Sequence, residues 1–346
     1  MESELKFNKY SSIENTYQTL YLNKVRQIVP KGAIWDVTEK VHGANCCIIT
    51  NGNDTKFAKR SGIVKDGENF FNYEKVLEEF RPKIINAFNY IKKKYETNET
   101  IIDLVQFYGE LFGGAYPHPD VPRNSQFNSV QKGLYYAPYQ SFYGFDIAIV
   151  YKSPEKEGRF WLNPDEMADV FEKNNIFYSK SLFRGTLDEC LEFNNAFQSN
   201  IPTWLGLPPI EDNICEGVVF KPMMPYFFNN GDRILLKNKN ERFSEKKKEK
   251  VHKVIPDLPE DVKKAISTVS EYINDNRLNN IISHEGEFDM PKDFGRLIKL
   301  FTMDILNDFI KEYKEWNSLE KINQKLVTKE VNSLAVKVIK DHYGIR

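Results

Sequence analysis

Lys40 lies in "TEKVHGANCCIIT" (residues 38–50), between a glutamate and a run that turns apolar and β-branched. A charged side chain at the head of a strand that reads as buried needs a reason. One reason is chemistry: a neutral lysine amine attacks an α-phosphate to form a phosphoramidate. A free lysine, with a pKa of roughly 10.4, is almost wholly protonated at neutral pH. Such an attack therefore calls for neighbouring positive charge or a metal. The chain should then also supply cations converging on one phosphate, carboxylates for a sugar and a divalent ion, and an aromatic ring to stack a base. Each occurs in strand-like context. "KFAKRSG" offers Arg60, and "VQFYGELFGG" offers Glu110 just before small residues that let a ligand approach. "FYGFDIAIV" offers Phe145 and Asp146, and "ICEGVVFKP" offers Glu216 followed by a glycine. "RILLKNKN" offers Lys237 and Lys239, two apart and so on one face of a strand.

Taken singly, each has a plainer reading. Lys40 suits an edge or snorkelling position, His42 a hydrogen-bonded structural histidine, and Phe145 a core aromatic. Glu110 and Glu216 suit exposed strand ends, although the glycine beside each favours a ligand. Lys237 and Lys239 suit a charged edge that resists aggregation. What separates the readings is the order of the set, with Lys40-x-x-Gly43 at its head.

The elements that must position these residues fall into two stretches. Up to about residue 240 the chain is strand-rich, with Gly, Asn, Asp and Pro between short apolar runs. Helices are expected over 74–97, 164–174 and 186–198, and a long loop over 115–140. Beyond a polar boundary near 243–253, helical patterns cover about 258–282, 292–315 and 318–342; Phe294, Leu297, Ile298, Phe301, Ile305 and Phe309 recur at helical spacing in the second. The 346 residues suit two domains or one large one. With 48 basic and 49 acidic residues, no global field draws the chain to a polyanion, so any such site must come from local clustering. Four cysteines without framework spacing fit a reducing compartment and argue against structural zinc. No signal-like segment and no long apolar run appears, so a soluble, cytoplasmic or otherwise intracellular protein without membrane attachment is expected.

The ordered set resembles the six motifs of the covalent nucleotidyltransferases, which comprise ATP-dependent DNA ligases, RNA ligases and capping enzymes. Within them "EKVHGAN" is similar to the phage and kinetoplastid RNA ligases that seal nicks in duplex RNA; DNA ligases and capping enzymes usually carry Asp where His42 stands. "FNKYSSIEN", "VQKGLYYAP", "KNKNERFSEKK" and "INDNRLNNII" extend the resemblance over nearly the whole chain. It implies an α+β fold: a nucleotidyltransferase (ATP-grasp-like ligase) domain of antiparallel sheets with flanking helices over 1–243, and a small all-helical domain over 250–346. It implies that Lys40 is the adenylated nucleophile, that His42 and Asn45 serve around it, and that Glu39 helps read adenine through its backbone. Phe145 would stack on the base, Glu110 would bind the ribose, and Lys237 and Lys239 would hold the α-phosphate. Arg60 would contact phosphate or the RNA terminus, Asp146 and Glu216 would hold Mg²⁺ (or Mn²⁺), and Arg277 would contact the RNA 5′-phosphate end.

The implied activity is ATP-dependent sealing of 3′-hydroxyl/5′-phosphate nicks through lysyl-AMP and an adenylated 5′ end. The implied partner is nicked duplex RNA or an RNA/DNA hybrid, and a monomer is expected. The alternatives are a DNA ligase or capping guanylyltransferase, disfavoured by His42 and the missing β-barrel pattern, and a catalytically silent RNA-binding protein. The nine basic residues between Arg233 and Lys253, against three acidic ones, read equally as a solvated linker or an RNA-backbone contact.

Overall fold

A computed structural model of the chain describes residues 5–152, 159–246 and 258–345. The backbone divides into two compact units. One runs to Asn240 and takes in Ser283–Gly286; the other comprises Glu241–Ile282 and continues from Glu287.

The first unit is built on two sheets. Its strands are β1 (Glu14–Asn15), β2 (Trp35–Glu39), β3 (Ala44–Thr50), β4 (Thr55–Lys59), β5 (Gly62–Ile63), β6 (Ile102–Ala115), β7 (Ala137–Tyr151), β8 (Arg159–Trp161), β9 (Ser181–Gly185), β10 (Gly217–Pro222) and β11 (Leu236–Lys239). The five-stranded sheet has the order β1-β11-β10-β2-β9 and the six-stranded one β5-β4-β3-β6-β7-β8. All pairings are antiparallel except β1 with β11. Helices α1 (Thr19–Ile28), α2 (Tyr73–Tyr95), α3 (Pro164–Lys173), α4 (Leu187–Leu191) and α5 (Ile201–Trp204) flank them.

Strand alternation gives the six-stranded sheet two apolar faces. Cys46 and Ile48 of β3 join Val76, Phe80 and Ile84 of α2 in one core. Cys47 and Ile49 face the other way, with Tyr10, Tyr108, Trp161 and Leu235. Two glycines permit close strand approach near Lys40. A Cβ on Gly43 would meet the Leu111 carbonyl, and one on Gly217 (φ +145) the Asn238 carbonyl.

Three expected boundaries differ in the structure. The helix expected over 186–198 ends at Leu191: the Thr186–Glu189 capping box starts it, but Asn194 bonds the backbone of Ala196 and so competes with helical pairing. The long loop covers only 116–136, because β7 already begins at Ala137; Gln131 and Asn213 pin it through backbone hydrogen bonds at Gly113, Leu134 and Tyr135. The helix expected over 258–282 is two, α6 (Glu260–Ser270) and α7 (Asp275–Glu285). Asn274 breaks it, accepting the Arg277 N–H as a cap does while donating to the Glu245 carbonyl.

The second unit is helical among its described residues, with α8 (Phe294–Glu312) and α9 (Lys321–Tyr343) following α6 and α7. Leu297, Phe301, Ile305 and Phe309 of α8 are wholly buried, with Phe294 and Ile298 packed at the margin. No described helix is long and apolar enough to cross a membrane.

Candidate active site

Lys40 follows the last residue of β2, and its backbone N–H bonds the Gly217 carbonyl at 2.9 Å. Its side chain emerges opposite that of Glu39. Lys40 Nζ lies 2.7 Å from Glu216 Oε2, and Lys239 Nζ lies 2.8 Å from Oε1 of the same carboxylate. His42 Nδ1 stands 3.5 Å from Oε2. Glu216 is itself sealed: burial would raise its pKa, but Lys239, Lys40 and His42 together hold it well below the usual carboxylate range. Two ammonium groups are thus gathered about one buried anionic point, with Lys40 still 17% exposed.

Glu110 of β6 lies across the ladder from Asn45 of β3, which bonds its carboxylate. Burial pushes the Glu110 pKa up to about 7, aided by Glu216 and opposed by Lys40 and Arg60. Arg60 follows β4 directly. Lys237 shares its face of β11 with Lys239. The structure thus brings Lys40, His42, Asn45, Arg60, Glu110, Glu216 and Lys239 together. Phe145 is the extra residue of a β-bulge, because the β6–β7 register jumps from Tyr108–Asp146 to Gly109–Gly144. A bulge of this kind re-aims a side chain. Glu39 faces the other way: it accepts from Ser199 Oγ at 2.5 Å and Asn200 N at 2.9 Å, and burial raises its pKa to about 7 despite these bonds.

Two expected positions lie in closed surroundings. Asp146 is fully buried and its carboxylate is occupied by Tyr10 Oη at 2.7 Å, Arg233 Nη1 at 2.7 Å and Lys221 Nζ at 3.0 Å. Burial would raise its pKa, but Arg233 and Lys221 keep it lowered. A carboxylate neutralised by two buried cations is a poor metal ligand. Among the described residues no group of three His, Cys, Asp or Glu is placed to hold a metal ion. Arg277 is also fully buried, 2.6 Å from Asp304, 2.9 Å from Asp308 and 3.8 Å from Glu245. Burial would lower its pKa, but these three carboxylates raise it. It holds α7 to α8. In the basic run, Arg233 is core and Lys246 pairs with Glu312 at 3.0 Å; Lys247, Lys248, Lys250 and Lys253 lie outside the described residues.

Sequence reasoning missed Tyr136, whose buried hydroxyl accepts the His42 N–H at 2.9 Å. It also missed Tyr10, Lys221 and Arg233. Nothing local marks them, since their partner Asp146 is 136 residues from Tyr10 and 87 from Arg233.

The two sheets thus present a strand-end lysine to a buried carboxylate and further cations. The chain belongs to the RNA ligase family, which matches over residues 33–239, and the T4 RNA ligase 2 C-terminal family matches over 256–337. It is 36% identical over 210 residues to RNA-editing ligase 1, mitochondrial, of Trypanosoma brucei brucei, a match covering 54% of this chain and 44% of that protein. It therefore spans less than half the length of that relative. RNA-editing ligase 2, mitochondrial, of the same organism is 28% identical over 354 residues, covering 88% of this chain and 83% of that one. A Naegleria gruberi RNA ligase solved with ATP and manganese is similar at TM-score 0.43 and 14% identity, covering 70% and 60%.

Proposed function

We propose that this protein is an ATP-dependent RNA ligase that seals 3′-hydroxyl/5′-phosphate nicks in duplex RNA, or in an RNA/DNA hybrid. The observation that carries the proposal is the convergence of Lys40, Lys239 and His42 on buried Glu216, where the end of β2 meets β10 and β11. In this reading Lys40 attacks the α-phosphate of ATP and pyrophosphate leaves. The AMP passes to an RNA 5′-phosphate, and the 3′-hydroxyl then displaces AMP. Lys237 and Lys239 neutralise the phosphate as charge develops, and Arg60 contacts phosphate or the RNA end. Glu216 keeps Lys40 and Lys239 aimed at one point before the anion arrives. Glu110 takes the ribose hydroxyls, Phe145 stacks on adenine, and the backbone at Glu39 reads its edge. The chain works by position and charge.

The fit of a metal is limited. Asp146 is held by Arg233 and Lys221, so the described residues alone offer no cage, and Mg²⁺ or Mn²⁺ is expected to enter with the nucleotide's phosphates. We assign adenylyl transfer to residues 1–243 and RNA engagement to residues 250–346, with Arg277 at the RNA 5′-phosphate end; a monomer suffices for the reaction. Labelled ATP should tag the wild-type protein through an acid-labile bond. Lys40→Ala should take no label, and labelling by GTP in place of ATP would indicate a capping enzyme instead. Failure of the labelled protein to seal a nicked RNA duplex would reject the substrate.

A further inference from the structure

The sealed cluster around Asp146 joins the two sheets at one point. Phe145 and Asp146 belong to β7 of the six-stranded sheet, whereas Lys221 belongs to β10 of the five-stranded one. Arg233 stands three residues before β11. Strand β10 begins just after Glu216, and β11 carries Lys237 and Lys239. Lys221 Nζ donates to both the Asp146 carboxylate and the Phe145 carbonyl. Tyr10 donates to the same carboxylate and sets its ring edge-on against Phe145, centroids 5.0 Å apart. Arg233 completes the cluster, with Nη1 on Asp146 and its guanidinium 4.3 Å from the Trp161 ring centre. As a bulge residue Phe145 lacks a ladder position of its own, so these contacts decide where its ring points.

We propose that this cluster is a clamp across the two sheets and that Arg233 is a positioning residue for the nucleotide site. It sets the distance between Phe145, which takes the base, and the strands bearing Glu216, Lys237 and Lys239, which take the phosphates. The proposal rests on the reading of Phe145 and the lysines given above. A buried ion pair contributes little net stability compared with apolar packing; what this one supplies is direction. Arginine suits the place because its guanidinium sits over the indole while one nitrogen reaches Asp146, whereas lysine offers charge without a planar group.

The test uses the full chain and follows the rate of lysyl-AMP formation against ATP concentration. Arg233→Lys should raise KM for ATP about tenfold, the loss of one desolvated cation–π contact, with kcat within about twofold of wild type. Tripolyphosphate, which has no base, should inhibit this variant as well as it inhibits wild type. Tyr10→Phe should shift KM in the same direction by less. Arg233→Met removes the charge and is the harsher variant; should it fail to fold, the two milder ones carry the test. An unchanged KM in both folded variants overturns the clamp. So does equal weakening of ATP and tripolyphosphate, which would mean general loosening of the pocket. If wild type takes no label from ATP, the proposed function fails first, and the clamp with it.

Discussion

Glu216 and Asp146 invite comparison. Each is a buried carboxylate held by two cations at the end or bend of a strand: Lys40 and Lys239 at 2.7 and 2.8 Å, Lys221 and Arg233 at 3.0 and 2.7 Å. They differ in access. Lys40 keeps 17% of its side chain exposed, while Lys239, Lys221 and Arg233 keep 5%, 7% and 1%. Lys40, which reaches solvent, can be handed to a substrate anion, and the Asp146 cluster holds no cation so exposed. One cluster therefore suits chemistry and the other suits architecture, though both are made from the same side-chain types.

Four measurements would break or sharpen this contrast. The largest effect should come from Lys40→Ala, which should erase adenylation while leaving the melting temperature near that of wild type. A variant that also unfolded would place Lys40 on the architectural side. Asp146→Ala should act chiefly on the fold. It leaves Lys221 and Arg233 buried without their counter-charge, a cost of about 3–5 kcal/mol that thermal or urea unfolding would read directly. Near-wild-type stability would mean that the cluster is less closed than its geometry implies.

Lys239→Ala and Lys237→Ala should each slow adenylation by about 1.5–3 kcal/mol in activation free energy, the value of one charge-assisted contact. Wild-type rates in both would make these residues a solvated edge. The smallest effect concerns Glu39, whose pKa rises from 4.5 to about 7 on burial. An acid with a raised folded pKa binds more protons folded than unfolded between those values, so it lowers stability as pH climbs through that window. Glu39→Gln should therefore gain stability relative to wild type between pH 4.5 and about 7, and show no such trend below it. A constant difference across the range would show that the carboxyl stays ionised throughout.

Much of the first cluster was legible in the sequence because its information is local. Lys237 and Lys239 alternate on one strand, Gly43 and Gly217 mark close backbone approach, and Glu216 abuts its glycine. The helical face of α8 was equally plain from its spacing. The surroundings of Asp146 were not legible, because "FDIAIV" presents a carboxylate with no sign of which cations will cover it. The surroundings of Arg277 were hidden for a related reason. It follows Asn276, while its counter-charges Asp304 and Asp308 lie 27 and 31 residues away on α8. Those two acids are four apart and share one helix face, a signal that sequence alone contained. The early end of α4 and the break before α7 both follow from asparagine side chains that bond backbone, which periodicity does not register.

The 176 residues between Lys40 and Glu216 also have a consequence in time. A ribosome adding about 5–20 residues per second needs roughly 10–35 seconds to pass from one to the other. Throughout that interval β2 lacks β10, the neighbour that carries the Gly217 carbonyl to Lys40, and β10 in turn awaits β11. A nascent chain therefore carries Lys40 long before it carries the pocket. In the proposed reaction it cannot consume ATP part-made: competence arrives in one step, when the last strand of the five-stranded sheet has emerged.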